Sequence, residues 1–156
     1  MDDTQAMLLE LYGKGYSCAQ IVMIGGLRLM GRENADLTRA MGGLAMGVGG
    51  SGEVCGALAG AVCLLSLHTG KGLDHEYPHP DHALIMDELV EWFRAEIRAG
   101  GAITCEAILD APDRVMNGQL CGRLIASAWT KALELLSNYG IDPCLGLPQS
   151  CFNPPP

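Results

Sequence analysis

Seven cysteines, at positions 18, 55, 63, 105, 121, 144 and 151, are the residues of this chain best equipped for chemistry. A thiolate attacks disulfides and is a soft ligand for zinc or iron–sulfur centres. The nearest two in sequence, Cys144 and Cys151, are seven residues apart, so there is no Cys-x-x-Cys motif. That excludes a local thioredoxin-type dithiol and a zinc ribbon. Cys55 and Cys63, if on one helix, would stand about 12 Å apart along its axis at about 1.5 Å per residue, beyond disulfide reach. Any site must therefore gather cysteines that are distant in sequence.

Three of them fall at expected helix starts: Cys18 after Ser17, Cys55 after Glu53-Val54, and Cys105 after Thr104. The positive end of the helix dipole and its free N–H groups favour thiolate there. Just before Cys55, the run from Met41 to Gly52 holds six glycines in twelve residues. Successive N–H groups in such a run can form an anion-binding concavity beside a cluster or substrate, with Gly50, Gly52 and Gly56 as its expected lining. Against this stands the plain reading of each cysteine as a small buried hydrophobe, which is preferred for Cys63 on its apolar helix. Cys144 and Cys151 could pair with each other, but a reducing compartment argues against a permanent bridge.

The elements that must position these residues read as helices. At 156 residues the chain fits one domain with a real core. Its 49% hydrophobic but only 5% aromatic composition, with 21 glycines, suits closely approaching helices better than a β-sandwich. An all-α, bundle-like domain of five to six helices over residues 1–140 is expected, followed by an irregular tail over 141–156. Thr4 should cap a first helix to about Tyr12, and Ser17 a second from Cys18 to about Met30. Asn34 or Asp36 should open a short third one ending near Met41. A fourth, started by Ser51 or Gly52, should run from Glu53 to about His68 and lie centrally, with Gly56, Ala57, Gly60 and Ala61 as a close-packing face. Asp81 should open a long helix to about Arg98, ended by Gly100 and Gly101. Thr104 should cap a short one, and the last should span about Gly118 to Tyr139. The tail carries five prolines and two cysteines and either wraps the body or hangs free.

The formal charge of −8 repels phosphate backbones and anionic lipid, so nucleic acid is not an expected partner. The most apolar run, Val54 to Leu67, is too short to span a bilayer. The opening Met1-Asp2-Asp3-Thr4 does not read as a secretory signal, and a cytoplasmic location is expected. A mean hydropathy of +0.19 without a span implies a well-filled interior or a homodimer that covers apolar surface.

All four histidines, His68, His75, His79 and His82, lie within fifteen residues, an arrangement from which a metal site could be built. Pro78 and Pro80 forbid a regular helix through His75-Glu76 and His79, so this is no HExxH motif and a solvated loop is preferred. Asp87, Glu88, Glu91 and Glu96 lack the Glu-x-x-His partner of a diiron bundle and read as an exposed helix face. There is no phosphate loop, and Gly47-Val48-Gly49-Gly50-Ser51-Gly52 lacks the strand of a dinucleotide fingerprint.

At Cys55-Gly56-Ala57-Leu58-Ala59-Gly60 the chain resembles the C_GCAxxG_C_C family of redox-active proteins. Gly15-Tyr16-Ser17-Cys18-Ala19-Gln20 is similar to that family's first cysteine site, and Cys105 and Cys121 to its last two. The resemblance implies a compact helical redox unit, and a related module in split-Soret cytochrome c is associated with an iron–sulfur centre. No Cys-x-x-Cys-His haem motif is present here. Cys63, Cys144 and Cys151 depart from the four-cysteine pattern.

Three readings follow. In the first, Cys18, Cys55, Cys105 and Cys121 bind an iron–sulfur or other metal cluster for electron transfer with a redox partner protein. In the second, the same cysteines exchange thiols and disulfides, with Cys18 and Cys55 as nucleophile and resolver. The third is a helical interaction module with packed cysteines.

Overall fold

The computed structural model describes residues 2–97, 101–110 and 117–156. Among them the chain forms seven α-helices: α1 (Asp3–Gly13), α2 (Cys18–Leu29), α3 (Ala35–Met41), α4 (Gly56–Thr69), α5 (His82–Ile97), α6 (Cys105–Leu109) and α7 (Gly118–Asn138). Short 3-10 turns cover Gly42–Leu44 and Gln149–Phe152. The all-α expectation holds.

α4 is apolar around most of its circumference, and its one half-buried stripe, Ala59, Val62, Cys63, Ser66 and Leu67, carries a single polar residue. It packs on α2, α7 and α5, and α2 packs on α7 in turn. Leu58, Leu64 and Leu65 of α4 are buried with Ile21, Val22 and Met23 of α2 and Leu124, Ala128 and Leu136 of α7. Each large side chain so buried contributes about 1.5–3 kcal/mol. The α2–α4 crossing is tight because a Cβ on Gly60 would sit 2.9 Å from Ala19 Cα. α5 lays its stripe of Ile85, Leu89 and Phe93 on the core and leaves Asp87, Glu88, Glu91 and Glu96 exposed.

Several helix starts differ from expectation. α1 is capped by Asp2, whose carboxylate accepts the Gln5 N–H at 2.7 Å; Thr4 lies inside the helix. Of the two candidates for α3, Asn34 is the cap, accepting from Leu37 N–H at 3.0 Å. The largest shift is at α4, which starts at Gly56 and not at Glu53. Residues 52–55 stay out of the helix because they pair with 103–106: Val54 and Thr104 form an antiparallel bridge, a long-range contact that no local pattern encodes. α5 opens at His82, one residue past Asp81, and the expected stop at Gly100 lies outside the described residues. Thr104 and Asn117 cap α6 and α7.

The tail wraps the body. Ile141 and Cys151 are buried, and Tyr77 N–H donates to the Cys151 carbonyl at 2.8 Å. Among the described residues no helix is long and apolar enough to cross a membrane.

Candidate four-cysteine site

Cys18 is the first residue of α2, Cys55 the residue capping α4, Cys105 the first residue of α6, and Cys121 lies in the opening turn of α7. Local rules fix the starts of α2, α6 and α7. Ser17 begins α2 with a capping box in which Gln20 accepts the Ser17 N–H at 3.0 Å, and the same Gln20 amide donates to Thr38 O at 3.0 Å, tying α2 to α3. Thr104 Oγ1 accepts from Ala107 N–H at 3.3 Å, and Asn117 Oδ1 from Gln119 and Leu120 N–H at 3.1 and 3.0 Å.

Long-range contacts then bring the starts together. Beside the Val54–Thr104 bridge, Cys55 N–H donates to Ile103 O at 2.8 Å and Cys105 N–H to Glu53 O at 2.6 Å, so α4 and α6 begin side by side. Cys18 Sγ rests on Gly56, where any Cβ would overlap the sulfur. The electrostatics close the set: a charge on Cys18 or on Cys105 opposes ionisation of Cys55, and the same two oppose ionisation of Cys121.

Burial pushes the Cys55 thiol up to about 11, outweighing the first-turn N–H groups of Ala57 and Leu58, which pull the other way. Burial likewise raises Cys121. The expectation that a helix start lowers the thiol pKa therefore fails at Cys55: desolvation exceeds the helix-end contribution. Cys18, Cys55 and Cys105 are buried, whereas Cys121 is half-buried.

The pattern of the site is a cysteine at the head of four different helices. The model of the C_GCAxxG_C_C family, described as putative redox-active protein, matches residues 16–135. The chain belongs to this family. No curated protein and no solved structure matches it. The family match takes in Cys18, Cys55, Cys105 and Cys121 and also Cys63, but ends before Cys144 and Cys151. Cys63 is half-buried against the core, with its thiol raised by burial alone. Cys144 is exposed and Cys151 fully buried, and no disulfide joins them.

The glycine run is a self-bonded turn. Gly50 N–H donates to Ala45 O at 3.1 Å and Gly52 N–H to Met46 O at 3.1 Å, so these two amides are spent inside the loop. Gly56 leaves room for Cys18 Sγ. Met46 and Val48 hold positive φ of 53° and 65° within the run, a conformation that costs a β-branched residue dearly.

Among the described residues no group of three or more His, Cys, Asp or Glu side chains is placed to hold a metal ion. In the histidine segment the loop is as expected, but it is braced. His82 Nδ1 and Thr69 Oγ1 are 2.7 Å apart, and His79 N–H donates to Thr69 O at 2.7 Å. The buried Glu76 carboxylate accepts from Gly72 and Leu73 N–H at 2.7 and 3.0 Å. His68 is only 1% exposed, with no hydrogen-bond partner at either ring nitrogen. The burial of His68 was legible in its place after Leu64 and Leu65 on the apolar helix; that of Glu76 had no signal.

Proposed function

We propose that Cys18, Cys55, Cys105 and Cys121 form one redox centre that holds an iron–sulfur cluster and passes electrons. The observation that carries this reading is that Cys18 and Cys105 both bear on Cys55 and both bear on Cys121, each thiol brought by a different helix start. The donor set is sulfur, the soft ligand such clusters take. Helix N-termini favour negative charge, and a cluster ligated by four thiolates is anionic. Burial and mutual repulsion keep Cys55 and Cys121 protonated on their own, so a cationic iron core is the partner that would turn them into thiolates, with release of protons. The side chains as they stand do not gather about a single ion; a cluster of several iron and sulfide atoms reaches more widely set thiolates than one ion can. When bound, the cluster would supply one-electron transfer, and the surrounding apolar helices would set its potential by excluding water.

A second reading, thiol–disulfide exchange, is favoured by one contact: Cys18 Sγ lies against Gly56, the residue after Cys55. Those two would serve as nucleophile and resolver.

Purification without oxygen, followed by iron and acid-labile sulfide analysis and an absorption spectrum, separates the readings. A cluster requires iron and sulfide, lost in Cys18→Ser or Cys105→Ser and retained in Cys144→Ser. Iron-free protein whose thiol count falls by two on mild oxidation, and does not in Cys55→Ser, supports exchange and overturns the cluster. Iron-free protein with no change in thiols removes both and leaves a packed helical interaction module.

A further inference from the structure

Cys121, one of the four cysteines in the proposed centre, meets a cavity. An open cleft of about 290 Å³ runs between α1 and α7, and Cys121 forms part of its wall together with Leu8, Ile21 and Ile125. Leu9 and Tyr12 stand at its edge, 61% and 47% exposed. The cleft exists because Gly118 and Gly122, one turn apart on α7, present no side chain to it. Around Gly122 a Cβ would meet nothing within 4 Å.

We infer that this cleft is a binding pocket for a small, uncharged, apolar molecule, the partner that the four-cysteine centre meets through Cys121. Size sets the first limit. An apolar cavity of about 150 Å³ holds one benzene ring, so a cleft of roughly twice that volume suits a compound of about two rings. Chemistry sets the second. Among the described residues the walls are almost wholly apolar and include no Lys or Arg, and the chain's net charge is −8. A nucleotide, a phosphorylated cofactor or a carboxylate would lose hydration there and gain no counter-charge. Area sets the third. A stable contact with a second copy needs about 800 Å² on each side, whereas among the described residues this recess is lined by nine, two of them glycines and three of them buried.

The inference rests on the four-cysteine reading for its purpose but not for its test. The full-length protein is titrated with naphthalene, and in parallel with naphthalene sulfonate, while the amide signals of Cys121 and Gly122 and the methyl signals of Ile21 and Ile125 are followed by NMR. Saturable shifts confined to these residues are expected with naphthalene, and the sulfonate should bind at least about tenfold more weakly, about 1.4 kcal/mol. Gly122→Leu should fill the recess and weaken naphthalene at least about tenfold; it meets no steric obstacle at Cβ, and leucine favours a helix over glycine. Shifts that do not saturate, equal affinity for the sulfonate, or unchanged binding in Gly122→Leu would each overturn the pocket. So would shifts of the same residues on dilution alone, which would assign the cleft to a second copy. Iron, sulfide and thiol counts on the same samples keep the two ideas apart. A redox-silent protein that binds naphthalene removes the four-cysteine centre and retains the pocket; a redox-active one that does not bind removes the pocket alone.

Discussion

The two ends of α4 bury reactive groups in opposite ways. At its start, Cys55 shares its surroundings with Cys18 and Cys105, and a charge on either opposes its ionisation. At its end, His68 is buried with no hydrogen-bond partner on either nitrogen, and the charges of Arg32 and Asp142 act on it in opposite directions. Its neighbours Thr69, His79 and His82 are engaged with one another. One end concentrates groups of the same kind and makes Cys55 harder to ionise, which is the setting a metal or a disulfide relieves. The other end satisfies its polar groups locally and leaves a single imidazole out.

The largest effect should come from closing the space on which the cysteine end depends. Gly56→Ala puts a Cβ onto Cys18 Sγ, and overpacking of this kind costs about 1–3 kcal/mol. For a chain of this length that lowers Tm by about 2–4 °C per kcal/mol. Gly122→Ala, on an open part of α7, should instead raise Tm, because alanine outranks glycine in a helix by about 1 kcal/mol. Thermal unfolding of the two variants side by side breaks the comparison if Gly56→Ala is as stable as the parent.

The histidine end is sharpened by pH. Burial holds the His68 pKa below its ordinary value, Arg32 adds to that, and Asp142 opposes it. The folded state thus resists a proton that the unfolded chain accepts below about 6.5. Stability is highest above that pH and declines as pH falls through it. His68→Leu should flatten this dependence between pH 7.5 and 5.5, as measured by urea unfolding at each pH. An unchanged slope would show that another group carries it.

These contrasts bear on what the sequence could reveal. The helices were legible because each has a periodic apolar face or a capping residue: Ser17, Thr104 and the long stripe of α7 needed only neighbours a few positions away. Cys18, Cys55 and Cys105 could be singled out for the same reason, since they sit at expected helix starts; Cys121 was named by the family resemblance alone. Neither the raised thiols of Cys55 and Cys121, which come from burial, nor the late start of α4, which comes from the pairing of residues 52–55 with 103–106 some fifty positions apart, was legible. The glycine run misled in a related way. Its composition announced free N–H groups, but a turn so rich in positive φ folds back and bonds to itself.

A milder prediction concerns that run. Val48 is held at φ 65° and is 46% exposed, so little packing is lost when its side chain is removed. Val48→Gly should stabilise the protein by about 1 kcal/mol, the lower part of the strain a non-glycine residue carries there. Denaturant midpoints compare the two proteins, and a destabilised variant would mean that the Val48 side chain matters more than its backbone.

The smallest effect tests whether the cysteine end depends on its capping residues or on its packing. Asn117 precedes α7 and accepts the N–H groups of Gln119 and Leu120, one turn before Cys121. Asn117→Ala removes that acceptor and should cost about 1 kcal/mol, as caps commonly do. The body of α7 is held elsewhere, by Leu124, Ala128, Leu135 and Leu136 in the core, so the loss stays within the first turn. Hydrogen exchange should therefore quicken at Gln119 to Cys121 and remain unchanged from Leu124 onward. Faster exchange along the whole helix would make Asn117 a support of α7 itself, and the placement of Cys121 would then rest on the capping residue more than on the core beneath it.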